Sequence, residues 1–108
     1  MEYIVENVPF FARGATLGDR IRVAEFEGKL WYRETLVPST NSLLRVIARK
    51  DPIPIKAGLE RLGCSCELSR TFHLIATNVP REKLPTVRAR LAELLQAGEI
   101  DYEEALLR

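Results

Sequence analysis

Cys64, Cys66 and His73 are the residues of this chain whose types and spacing first suggest chemistry. Two thiolates and an imidazole would supply three of the four ligands of a tetrahedral zinc site. Whether they meet depends on how the surrounding segments pair. Cys64–Leu68 and Phe72–Thr77 read as the two strands of a hairpin. A two-residue loop at Ser69-Arg70 would set Cys66 opposite His73 on one face. A three-residue loop, Ser69-Arg70-Thr71, instead aligns Leu68, Cys66 and Cys64 with Phe72, Leu74 and Ala76, so that every apolar residue faces inward. That register is expected. The cysteines then pack in the core, and His73 lies on the other face with Ser65 and Glu67. No fourth ligand is visible, so neither a metal nor any cofactor is expected.

Other constellations are weaker. Glu67 is the one acid within reach of His73 across the hairpin, and such a pair is more often a surface contact than a catalytic dyad. Gly14 and Gly18 match neither the Walker nor the dinucleotide spacing. Glu99, Asp101, Glu103 and Glu104 form an acidic group suited to a cation or a basic partner. No catalytic residue is assigned, and the chain is not expected to be an enzyme.

The strongest surface feature lies earlier. Arg20–Phe26 and Lys29–Val37 read as a hairpin about Glu27-Gly28. A two-residue loop pairs Phe26 with Lys29, Ala24 with Trp31 and Arg22 with Arg33. Ile21, Val23, Leu30 and Tyr32 then form a core side, while Arg20, Arg22, Trp31 and Arg33 share the outer face. Opposed arginines are unfavourable without a counter-charge or a stacking partner, which the neighbouring Glu34 or Thr35, a second sheet or something bound would supply. Trp and Arg are also the types enriched at binding hot spots. Arg20, Arg22, Trp31 and Arg33 are therefore the candidate partner-binding residues, with the acidic group next.

These residues must be carried by a framework, and the hydrophobic pattern outlines one. Residues 43–107 read strand, helix, strand, strand, helix, strand. Leu43–Ala48 is a nearly continuous apolar run, as in a strand covered on both faces. Pro54–Leu62 is a short helix after Asp51-Pro-Ile-Pro54, with Gly58 inside it suggesting close packing on the sheet. Glu82–Ala97 is a longer helix with a stripe of Leu84, Val87, Leu91, Leu94 and Leu95. Ile100–Leu106 closes the set as an edge strand, with a helical end from Glu103 left open. The expected class is α+β, a ferredoxin-like split βαβ preceded by a β-hairpin-rich N-terminal segment. A first strand is expected over Tyr3–Val8, then a loop anchored by Phe10, Phe11 and Leu17. Residues 1–108 read as one domain, with residues 1–42 the β-rich segment and 43–108 the α+β part.

The totals agree with a small globular protein. Of 108 residues, 46% are apolar and 29% charged, and the net charge is +1, so no global field points to nucleic acid or a membrane surface. The ribonucleoprotein motif is missing from Phe72-His-Leu-Ile75, which removes the main route to RNA. No apolar run approaches the roughly 20 residues needed to span a bilayer. Cysteines one residue apart on a strand are too distant to bond, so reduced thiols and a cytoplasmic location are expected.

The run Asn7-Val-Pro-Phe-Phe-Ala-Arg-Gly-Ala-Thr-Leu-Gly-Asp19 resembles the opening of the bacterial domain-of-unknown-function family 4265. Leu59-Glu-Arg-Leu-Gly-Cys64, the Val79-Pro80 entry to the long helix and the late Tyr102-Glu103 are similar as well. His73 and Trp31 lie outside that pattern. The resemblance implies a small stand-alone bacterial domain with no established activity. The expected function is a non-enzymatic protein-binding module, an immunity-type inhibitor that neutralises a cognate toxin by occluding it. The alternative is a regulatory domain holding a small ligand between the β-rich segment and the second half.

Overall fold

The computed structural model describes residues 1–6 and 14–108. Phe10, Phe11 and the end of the expected first strand at Val8 lie outside the described residues. The chain is α+β, with two antiparallel sheets and two α-helices among the described residues. Strands β1 (Glu2–Ile4), β2 (Arg20–Phe26) and β3 (Lys29–Val37) make the first sheet, in the order β1-β2-β3. The second part runs β4 (Ser42–Ala48), α1 (Pro52–Arg61), β5 (Ser65–Ser69), β6 (Leu74–Val79), α2 (Leu84–Gln96) and β7 (Ile100–Leu106). Its strands lie in the order β5-β6-β4-β7, and each neighbouring pair is antiparallel. The last segment is thus strand, with no helical end from Glu103.

Local chemistry sets the helix ends. Asp51 accepts a hydrogen bond from the Ile53 amide at 3.0 Å, and Pro52 occupies the first turn, where its missing N–H costs nothing. That cap moves the start of α1 two residues ahead of the expected Pro54. Gly63 ends it at φ 103°, a conformation that side chains resist. A 3-10 turn over Arg81–Lys83 precedes α2, which therefore starts later than the expected Glu82.

One core lies between the helices and the second sheet. Leu44, Val46, Leu59, Ile75, Val79, Val87, Leu91 and Ile100 are buried there. Each such side chain contributes about 1.5–3 kcal/mol on burial. Leu95, expected in the stripe of α2, is exposed instead, because three buried residues (Val87, Leu91 and Leu94) already fill the contact. The opposite face of the sheet is partly covered too: Leu43 and Ala76 pack with Ala105 and Leu106. All six residues of β6 are buried.

The β5–β6 register departs from expectation. Ser69 pairs with Leu74, Leu68 with Ile75 and Cys66 with Thr77, across a four-residue turn at 70–73. Ile75 and Val79 therefore face the helices, while Leu74 and Ala76 face the other way. Phe72 is exposed in the turn. His73 adopts φ 51°, and its Nδ1 donates to the Ala48 carbonyl at 3.3 Å instead of sharing a face with Ser65 and Glu67. Both cysteines nevertheless turn inward, Cys64 buried and Cys66 half-buried against the core.

The two sheets are joined by a buried polar cluster centred on Asp19. Its Oδ1 accepts from the Ser39 amide at 2.8 Å and its Oδ2 from the Thr16 amide at 3.0 Å. The Arg108 guanidinium donates to both oxygens and to the Ser39 carbonyl. Thr16 Oγ1 then donates to Asn78 Oδ1 on β6 at 3.2 Å. Burial pushes the Asp19 carboxyl up, but the hydrogen bonds from Arg108, Ser39 and Thr16 outweigh it and hold the group below its ordinary range.

Candidate functional site

The β2–β3 hairpin carries the surface that the sequence singles out. Its turn residues, Glu27 and Gly28, both have positive φ (52° and 75°), the backbone whose twist matches the flanking strands. From that turn the pairing runs Phe26 with Lys29, Ala24 with Trp31 and Val23 with Tyr32, as expected.

Beyond Val23 the register shifts, and Arg22 pairs with Glu34 and not with Arg33. The reason is electrostatic. A bulge at Arg33 separates two like charges that would have been directly opposed, and it delivers a carboxylate in their place. Arg22 Nη2 lies 3.0 Å from Glu34 Oε2. A second shift sets Arg20 opposite Val37, and Arg20 has Glu2 at 3.9 Å. Arg20 and Arg22 thus have their own counter-ions. Among the described residues, Arg33 and Lys29 have none.

Cross-strand partners share a face, so Ile4, Ala24, Phe26, Trp31 and Val37 lie together with the Arg20 and Arg22 ion pairs. Their exposure decides what this face is: Phe26 is 64% exposed, Val37 55%, Trp31 53% and Ile4 51%. Trp31 is paired across the strands with Ala24, a residue too small to cover an indole. Phe26 and Trp31 are grouped at the turn end, and the Glu2–Arg22–Glu34 row separates them from Ile4 and Val37; exposed apolar groups bordered by charge in this way mark interaction surfaces.

The opposite face of the hairpin is not the full core side that was expected. Val23 is buried and Ile21 half-buried, but Leu30 and Tyr32 are exposed. The segment from Gly14 reaches only the far end of the strands. There the Thr35 hydroxyl donates to the Gly14 carbonyl at 2.6 Å, and the Tyr32 hydroxyl lies 2.8 Å from Thr35 Oγ1. Leu30, nearer the turn, lies beyond that contact.

The other candidates resolve differently. The acidic group is largely neutralised within the chain: Asp101 by Arg49 at 2.8 Å, Glu103 by Arg45 at 3.5 Å and Glu104 by a two-pronged Arg88 contact at 2.9 Å. Burial and the neighbouring Cys66 push the Cys64 thiol up to about 12, and burial pushes Cys66 up to about 11. Both are protonated at neutral pH and hence poor nucleophiles. Among the described residues, His73 forms no metal-holding cluster with them.

Sequence reasoning missed Asp19 and Arg108, which lie 89 residues apart. No local spacing relates them. The only signal was an acid directly after Gly18 and directly before a strand.

The family described as "Domain of unknown function (DUF4265)" matches residues 1–102. No curated protein matches the chain. A crystal structure of a hypothetical protein from Neisseria gonorrhoeae superposes with a TM-score of 0.80 at 19% identity, covering 98% of this chain and 75% of that one. The likeness extends to the fold.

Proposed function

The chain belongs to the DUF4265 family, and we propose that it is a non-enzymatic protein-binding module that docks through the outer face of the β2–β3 hairpin. One observation carries the reading: Ile4, Phe26, Trp31 and Val37 are each more than half exposed on one face of a paired sheet, with Phe26 and Trp31 together at its turn end. The protonated cysteines and the internally paired acidic group fit a chain without reactive side chains. Lys29 and Arg33, lacking counter-ions among the described residues, flank Trp31 and favour a partner whose contact surface is apolar with carboxylates around it. The partner class we assign is a bacterial toxin, with this chain as its immunity-type inhibitor. Residues 42–106 we read as a ferredoxin-like split βαβ unit that holds the hairpin, a reading supported by the strand order β5-β6-β4-β7 and by the helices α1 and α2 that link β4 to β5 and β6 to β7.

The test is co-expression with the product of an adjacent effector gene, followed by binding measurement on the purified pair. Trp31→Ala combined with Phe26→Ala is expected to weaken binding by at least about 2 kcal/mol, in the hot-spot range. A folded double variant with unchanged affinity would move the docking surface elsewhere.

A further inference from the structure

A groove of about 530 Å³ runs between α1 and α2, away from the hairpin. Its apolar walls come from Pro54, Ile55, Leu59 and Leu62 on one side and Ala89 and Leu94 on the other. It adjoins a hollow of about 390 Å³ at the start of α1, with Pro54, Ile55 and Glu99 common to both. The groove exists because Gly58 and Ala89 put almost nothing into the space between the helices.

Gly58 needs a reason. A glycine inside a helix costs about 1 kcal/mol relative to alanine. Close packing on the sheet, the reason expected from sequence, does not hold: a Cβ at Gly58 would meet only Arg61 Nη2, at 3.8 Å. Among the described residues, the side chain nearest that vacant position is therefore a guanidinium that lines the groove. Of the four cations on the helices, Lys56 pairs with Glu60, Arg88 with Glu104 and Arg90 with Glu93. Arg61 has no carboxylate partner among the described residues. Its place in the last turn of α1 suits the helix dipole, which favours a cation there.

We infer that the α1–α2 groove binds a small amphiphilic carboxylate, with the anionic head on Arg61 and the apolar body along Leu62, Leu59 and Ile55. The volume lies within the roughly 300–1,000 Å³ of small-molecule sites. Glu99 lines the far end, toward the start of α1, and sets the orientation by repelling the head group from there. This site is independent of the hairpin, so its failure leaves the docking proposal standing, and the reverse.

Decanoate is the probe, with decanamide as its neutral counterpart. Titration into isotope-labelled protein is expected to shift the amides of Gly58, Leu62 and Ala89, with decanamide at least about tenfold weaker because it forgoes the charge-assisted contact. Arg61→Gln should erase the difference between the two probes. Gly58→Leu should fill the groove and abolish both responses. Absence of shifts at these amides in millimolar decanoate overturns the inference. So does decanoate binding that ignores either substitution in a folded variant.

Discussion

Arg108 and Asp19 form a two-pronged ion pair across 89 residues, with guanidinium nitrogens 3.2 and 3.0 Å from the two carboxylate oxygens. The carboxylate is fully buried. Removing one member leaves a desolvated charge without its partner, a change that costs about 3–5 kcal/mol. Arg108→Ala should therefore lower stability by that amount in urea titration. A loss below about 1 kcal/mol, the range of an exposed pair, would show that water compensates the carboxylate.

The same pair predicts a pH dependence. Asp19 is held below its ordinary value of 3.8, so between the folded and unfolded values the unfolded chain binds more protons. Stability then rises with pH in that window. The contribution of Asp19 is complete above the unfolded value and is lost as pH falls through the folded one. Asp19→Asn should flatten the stability profile below about pH 4. An unchanged slope in the variant would remove Asp19 from the acid response.

Turn chemistry supplies a stabilising change. Glu27 sits at φ 52°, and left-handed backbone costs a side-chain-bearing residue about 1–2 kcal/mol. Glu27→Gly or Glu27→Asn should raise the melting temperature, without effect on the decanoate response. A fall in melting temperature for both would mean that the glutamate has a compensating contact.

Cys64 and Cys66 should resist alkylation in the native state at pH 8, because thiols raised to about 12 and 11 present almost no thiolate. Labelling should track unfolding in denaturant. Rapid modification of either cysteine in the folded protein would contradict the inward placement of the two side chains.

Trp31 is expected to be dispensable for folding. Its indole is half exposed opposite Ala24, so Trp31→Ala should change stability by no more than about 0.5–1 kcal/mol while altering the emission spectrum. A loss above about 3 kcal/mol would identify the residue as core.

Much of the framework was legible because helix and strand periods are local. The stripe of Val87, Leu91 and Leu94 marked α2, and Glu27-Gly28 marked the hairpin turn. The β5–β6 register was not legible for a physical reason. Both faces of β6 are buried, so Leu74 and Ala76 carry the same apolar signal as Ile75 and Val79, and alternation could not say which set faced the helices. The bulge at Arg33 was hidden differently: sequence showed that opposed arginines were a problem, but not which backbone shift would relieve it. The Arg20–Arg22–Trp31 face was visible as residues, with Glu34 among the groups that would satisfy its arginines, whereas the ion pair with Glu2 required the observed pairing. The Asp19–Arg108 contact had no sequence period at all.

The burial of β6 has a kinetic consequence. That strand lies between β4 and β5 and is covered above and below, so its amides open to solvent only when most of the second sheet comes apart. Hydrogen exchange there should report the free energy of global unfolding. β1 and β3, at the margins of the first sheet, should exchange through much smaller openings. The surface assigned to docking would thus breathe on a frame that stays closed, with room to adjust to a partner without loosening the core.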